Sequence, residues 1–428
     1  LELLKKKHKK LVENFFSLSL VQATNMLLPL ISLPYLVRVL GPDKYGLIIF
    51  SQMFIQYFVL FTDYGFNLSA TKEIAKSNED KDEISNIFNS VQLIKGIFLI
   101  LSFIIVIMII SNIQKFSEDK MLFLISFGLV LSNVLFPIWF FMGIEKMKYI
   151  TFLNLLSKIF YTIGIFIFVK SKNDYLWVPI LNVVGQSIVG LISLYIIFFK
   201  YKVKLRFPGY SSLIYHLKEG WFIFLSTISV SIYTISNTFI LGLFTSTTIV
   251  GYYSAAEKLI NTVNNLITPI GQSIFPHVNK LFSESKIKGL RFLKKVLILV
   301  TCLSLVFSFT IFNFSSTIIN IFYGEEYKSS IEILKILSFV PFLVAISNIF
   351  GTQTMLPLGF HKQFSSIIVI GSLVNILLAF TLVPKYTYFG TGFGALFSEL
   401  LVALFMMMYL KYKGISYFNK ADSEIRNC

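Results

Sequence analysis

The residues with chemical consequence are ionisable side chains that interrupt long apolar runs. Lys95, Lys158, Glu257, Lys258, Lys335 and Glu399 all lie in such stretches. Burying a charge in hydrocarbon costs at least a few kcal/mol, so each marks a pathway, an ion pair or the end of a run. Lys158 is midway along its run, on a helical face with Asn154 and Thr162. Lys258 lies about two turns inside another run, beside Glu257, and that pair can also neutralise itself or reach the surface. Lys95 and Lys335 are near enough to run ends to snorkel. Glu399, close to Gly392, Ala395 and Ala403, can serve as a lysine counter-ion or as a protonatable group. Arg38 and Asp63 stand at run ends, as gate residues or as interface anchors. The balance leans positive. Lysine is a strong point-charge partner for phosphate, so an anionic passenger fits better than a cation.

Uncharged polar residues fall on helical stripes. Asn261, Asn264, Asn265, Thr268 and Gln272 continue the face of Glu257 at steps of three and four. A second stripe holds Ser226, Ser229, Tyr233, Ser236 and Asn237, and a third Gln22, Asn25, Pro29 and Ser32. Gln52, Gln56 and Asp63 follow, then Ser338, Asn348, Thr352, Ser365, Ser372 and Asn375. A single stripe reads as hydrogen-bonding glue between membrane helices. Stripes in both halves of the chain read better as the walls of a wet cavity. The expected substrate-binding set is therefore Lys158, Lys258, Lys95, Arg38, Asn25, Asn154, Tyr233, Asn261 and Asn265. Glu257 and Glu399 are the candidates for ion coupling.

The elements that position these residues follow from composition. Of 428 residues, 55% are hydrophobic and 14% charged, against about 25% charged in a soluble domain. Disorder is excluded by the same apolar excess. Twelve segments are near the ~20 residues that cross a bilayer: 12–37, 45–67, 86–110, 121–142, 149–169, 176–199, 219–243, 249–274, 292–313, 331–355, 363–384 and 390–410. The expected fold is an all-α integral membrane protein with about 12 transmembrane helices. With the N-terminus cytoplasmic, inner segments carry 26 Lys and Arg and outer loops 8. That bias places both termini in the cytoplasm. It also accounts for the net charge of +16 without a nucleic-acid partner.

The basic stretch 200–218 divides the spans six and six, giving an N-terminal lobe at 1–204 and a C-terminal lobe at 205–428. VLGPDKYGLIIFSQ (39–52) and ILGLFTSTTIVGYYSAAE (240–257) share a Leu-Gly before a turn and a second Gly beside a Tyr. Six spans per half imply a pseudo-twofold axis along the membrane normal and a pathway between the lobes. Nothing in the sequence suggests catalysis. The histidines (His8, His216, His277, His361) are scattered, and there is no HExxH or paired-carboxylate pattern. Gly390-x-Gly392-x-Gly394 is too short a signal to hold a phosphate. The two cysteines, Cys302 and Cys428, have no metal-ligand spacing. No cofactor is expected beyond coupling to a proton or sodium gradient.

LLPLISLPYLVRVLGPDKYGLIIFSQ (27–52) resembles the opening signature of Wzx-type O-antigen flippases. GYYSAAEKLINTVNNLITPIGQSIFPHVNKL (251–281) is similar to the eighth span of that family. The resemblance implies the multidrug/oligosaccharidyl-lipid/polysaccharide exporter superfamily and two six-helix lobes working by alternating access. It implies an undecaprenyl-diphosphate-linked oligosaccharide, moved from the cytoplasmic to the periplasmic leaflet of the bacterial inner membrane for O-antigen or capsule assembly. Lys158 and Lys258, and then Lys95, match the family's cationic cavity, while fully central arginines are absent. Membrane lipids are the other expected partners, with a polysaccharide polymerase and a chain-length regulator as further candidates. Two alternatives stay open: an ion-coupled drug or cation antiporter of the same fold, and a membrane polysaccharide polymerase or glycosyltransferase.

Overall fold

The computed structural model describes the backbone of residues 2–77, 80–415 and 417; within these, the side chains of 2–27, 29–30, 229–230, 232–234, 266–270 and 272 are not described. Every regular element among the described residues is helical. That is what a low-dielectric solvent demands, because a helix satisfies its own backbone donors and acceptors within one segment. The chain begins with α1 (Glu2–Asp63), α2 (Phe66–Lys76), α3 (Lys81–Asn112) and the short α4 (Gln114–Ser117). It continues through α5 (Lys120–Leu135), α6 (Ile138–Gly143), α7 (Met147–Phe168), α8 (Trp177–Tyr195) and α9 (Tyr210–Phe244). Next come α10 (Thr247–Glu284), α11 (Lys286–Phe322), α12 (Ser330–Leu337), α13 (Val340–Phe350) and α14 (His361–Tyr412).

Among the described residues, eight segments are long and apolar enough to cross a membrane: Ile31–Lys76, Lys81–Asn112, Lys120–Gly143, Met147–Phe168, Lys172–Lys200, Lys286–Phe322, Ser330–Met355 and His361–Tyr412. The expected spans 219–243 and 249–274 run through side chains outside the described set. Two of the long helices, α1 and α14, contain a non-helical residue. In α1 the break is Gly41, at φ 67°, ψ 172°, a conformation that glycine adopts without a Cβ clash. In α14 the break is Thr387, at φ 50°, three residues after Pro384. A Cβ on Gly390 would meet the Leu382 carbonyl oxygen at 2.5 Å, and one on Gly371 would meet Val402 Cγ2 at 2.3 Å. These contacts pair residues nearly equidistant from Thr387, so α14 is an antiparallel hairpin.

The two glycine signatures behave differently. Gly41 breaks its helix, whereas Gly242 lies within α9, which runs on to Phe244.

The chain forms two compact units, Leu1–Ser231 and Ile232–Cys428. This boundary falls later than a division at 204/205, because the start of α9 packs with the first unit. Phe224 stacks on Tyr64 with centroids 4.9 Å apart, and Ser212 Oγ lies 2.8 Å from Ser90 Oγ. In that unit Trp139, Phe140 and Phe141 are fully buried around Phe88 and Ile74. Hydroxyl pairs tie its helices together: Ser51 to Ser126 at 3.0 Å and Ser132 to Ser187 at 2.7 Å. Such bonds hold membrane helices where no hydrophobic force acts between them.

The core of the second unit gathers Val278, Leu293, Met355, Val402, Met406 and Leu410. Thr354 and Tyr417 share a buried hydroxyl–hydroxyl hydrogen bond. Only Ser285, with an extended backbone, separates α10 from α11. At 1.5 Å per residue these helices are each about 55 Å long, well beyond a ~30 Å hydrocarbon core.

Candidate functional site

In the first unit the sharpest polar feature joins three helices. Lys95 on α3 is 1% exposed, and its Nζ donates to Asp63 Oδ1 at 2.8 Å and to Asn133 Oδ1 at 3.2 Å. The snorkelling expectation for Lys95 is therefore corrected: the side chain turns inward because a carboxylate and an amide at the ends of α1 and α5 converge on it. Gln92, one turn earlier on α3, donates from Nε2 to the Val134 carbonyl at 3.1 Å. A buried ammonium paired and hydrogen-bonded in this way is held in one geometry.

Lys158 lies on α7, half-buried with Asn154 and Thr162 on the same side. The apolar side of α7 carries Phe152, Ile163 and Ile167, at 63%, 54% and 58% exposure. Lys158 thus sits off the side that α7 offers to lipid. Asn154 Nδ2 donates to the Ile150 carbonyl at 2.9 Å. Arg38 is exposed, three residues before the Gly41 break. Asn25 lies outside the residues whose side chains are described.

In the second unit the stripe on α10 straddles a border. Glu257 and Asn264 lie on its inner edge, while Lys258, Asn261 and Asn265 are exposed. Glu257 Oε2 accepts from Thr238 Oγ1 at 3.0 Å and also from the buried Tyr253 hydroxyl. Lys258 is the adjacent positive charge. Asn264 lines a cavity of about 50 Å³ with Gly271, Asn348 and Gln353. Gln353 is 1% exposed and donates from Nε2 to the Gly271 carbonyl at 2.9 Å. The three amides interrupt a mostly apolar lining, and the cavity is large enough to admit water. Glu399 is half-buried on α14 beside the buried Ser398, and Asn375 is fully buried. Tyr233, Thr268 and Gln272 fall outside the described side chains. The described residues contain no cluster of three His, Cys, Asp or Glu suited to a metal.

Within each unit, then, some expected residues meet and others do not. Asn264 and Asn348 come together; Lys95 joins Asp63. Sequence reasoning missed Asn133, Thr238, Tyr253 and Gln353. Asn133 is a lone amide in an apolar run, which is the signal that could have found it.

Residues 11–282 match the family described as "Polysaccharide biosynthesis protein". The chain belongs to that family. A protein of Escherichia coli strain K12 named "Putative O-antigen transporter" is 32% identical over 406 residues, covering 93% of this chain and 96% of its own length. A Shigella dysenteriae protein of the same name is 32% identical over 407 residues, 93% of this chain and all of its own. Among solved structures, an inward-facing multidrug resistance MATE family transporter of the MOP superfamily superposes with TM-score 0.71 at 16% identity, over 94% of this chain and 98% of its own. The lipid II flippase MurJ in an inward closed conformation gives 0.67 at 19%, over 94% and 87%. These likenesses bear out the resemblance to O-antigen transporters and identify the fold as that of MOP-superfamily transporters. The protein is a multi-pass membrane protein of the polysaccharide-biosynthesis family.

Proposed function

We propose that the protein flips an undecaprenyl-diphosphate-linked oligosaccharide repeat unit from the cytoplasmic to the periplasmic leaflet of the inner membrane. In this reading about twelve helices cross the membrane, six per lobe, with both termini cytoplasmic, and the passenger moves by alternating access. The observation that carries it is Lys158, a half-buried cation amid an apolar helix, aligned with Asn154 and Thr162 and turned off the lipid-exposed side. An ionisable group carried into an apolar span marks a pathway by default. It suits a diphosphate, and the amides and hydroxyls beside it suit sugar hydroxyls. Lys258, with Asn261 and Asn265, offers a second exposed polar face of the same character. Names of relatives at 32% identity over nearly the whole chain support the substrate class. Glu257, seated against Thr238 and Tyr253, is assigned the ion-coupling role, with Glu399 as the second carboxylate.

Replacing Lys158 by Ala should reduce surface polysaccharide at least tenfold with membrane protein levels unchanged, and Lys158→Arg should restore much of it. Undiminished surface polymer in Lys158→Ala cells would remove Lys158 from the passenger's path.

A further inference from the structure

A cavity of about 460 Å³ opens in the first unit, well away from Lys158 and from the buried Lys95. Its volume is within the range of small-molecule sites. Four segments meet there: the end of α2, the start of α3, the turn from α6 into α7, and residues 201–203 after α8. Apolar walls come from Ile74, Phe140 and Ile144, continuous with the unit's buried core. Lys81, Lys146 and Tyr201 supply the polar rim.

The surrounding charges are distributed with some economy. Asp80 spends its carboxylate on the Asp82 and Glu83 amides at the start of α3, at 2.9 and 3.3 Å. Asp82 meets Lys204 at 3.4 Å and Arg206 at 3.3 Å, and Glu73 meets Lys76 at 3.3 Å and Tyr215 at 3.1 Å. Glu145 is the carboxylate in the wall itself. A second rank of cations stands behind Tyr201, which is hydrogen-bonded to Tyr149. Lys200 and Lys148 lie 5.4 and 5.9 Å from the Tyr149 ring centroid.

The backbone is bent to form this cavity. Glu145 (φ 55°) and Lys202 (φ 56°) are both left-handed, where glycine is usual. Each ends a helix with a wrapped-back hydrogen bond: Lys146 N donates to the Phe141 carbonyl, five residues back, at 2.8 Å, and Val203 N to the Ile197 carbonyl, six back, at 3.3 Å. Non-glycine residues are strained in that conformation, and such strain collects at functional sites. Both turns aim the following residue, Lys146 or Val203, into the wall.

We propose that this cavity binds the phosphate headgroup of an anionic phospholipid. It sits where several spans end together, which is headgroup level. It joins an apolar lining to lysines, as basic pockets between membrane helices do for acidic lipid heads. The mostly hydrocarbon wall favours a lipid over free phosphate, because the glycerol and first acyl carbons have somewhere to go. The site uses none of the residues assigned to the passenger, so it stands apart from the flippase reading.

The full-length protein in nanodiscs tests it, by native mass spectrometry and thermal melting. Phosphatidylglycerol added to phosphatidylcholine discs should raise Tm and leave lipid bound after delipidation. In Lys81→Gln/Lys146→Gln retention should fall about tenfold or more, while Lys411→Gln/Lys413→Gln retains it. If the double variant does not fold, Lys146→Gln alone is read in the same assay and should weaken retention severalfold. Equal retention by the cavity variants and the parent would overturn the proposal. So would equal protection by free glycerol 3-phosphate in phosphatidylcholine discs, which would make the ligand a soluble anion.

Discussion

Lys95 and Asp63 form a contact whose removal is asymmetric. Taking away the carboxylate leaves an ammonium that is 1% exposed with only Asn133 beside it. Asp63→Asn should therefore cost about 3 kcal/mol, the scale for breaking a buried pair from one side. The double change Asp63→Leu/Lys95→Met should recover most of that loss. Denaturation in detergent checks both, and an unchanged Asp63→Asn midpoint would show the pair to be idle. His216 gives a pH dependence. Its ring is buried in the first turns of α9, ahead of the apolar stretch 219–243, and burial holds its pKa below the usual 6.5 against the opposing pull of Glu73 and Glu219. The folded state thus binds its proton less readily than the unfolded one. The stability from His216 is full above about pH 6.5 and drains away as pH falls below it. Melting temperature should decline more steeply between pH 6.5 and 5 in the parent than in His216→Gln; parallel curves would count against this assignment.

Local helical period was enough to find some of these residues and not others. Lys158 was legible because its face partners lie four residues to either side. The Lys95 pair was hidden, since Asp63 is 32 residues away and proximity to a span end suggested snorkelling instead. Gln353 illustrates a subtler failure. A regular helix places Thr352 beneath Asn348, but residues 351–355 form a π turn, and a five-residue step carries Gln353 to that face instead. The stripe on α10 was read as one surface although it spans a border, because hydrophobicity alone does not say where a helix changes neighbours. At the same scale, the α14 hairpin separates two kinds of crowding. Gly371→Ala should destabilise by about 1–3 kcal/mol and be rescued by Val402→Ala, since the obstacle is a side chain. Gly390→Ala should cost at least as much and resist rescue by trimming neighbours, since its obstacle is the Leu382 carbonyl. Melting curves of the four proteins distinguish these cases.

For the molecule as a whole, membrane residence and all-helical architecture follow from composition. The boundary between units did not, because the basic stretch 200–218 reads as a linker while α9 packs with the first unit. The lysine distribution predicts the sidedness, and the prediction invites a direct check. Asn173→Cys should react with an impermeant maleimide applied to whole cells, and Gly209→Cys only after the inner membrane is opened. The reverse pattern would invert the topology. Cys302 is exposed on the apolar side of α11 and should stay silent to a water-borne reagent in both. Finally, the α10–α11 pair is longer than the hydrocarbon is thick and carries Lys280, Lys286, Lys288 and Arg291 around its connecting turn. Drawing that cluster inward would strip water from several cations at a few kcal/mol apiece. The pair is thereby forbidden to piston across the bilayer; it is free to swing, with the charged tip riding on the surface like a float.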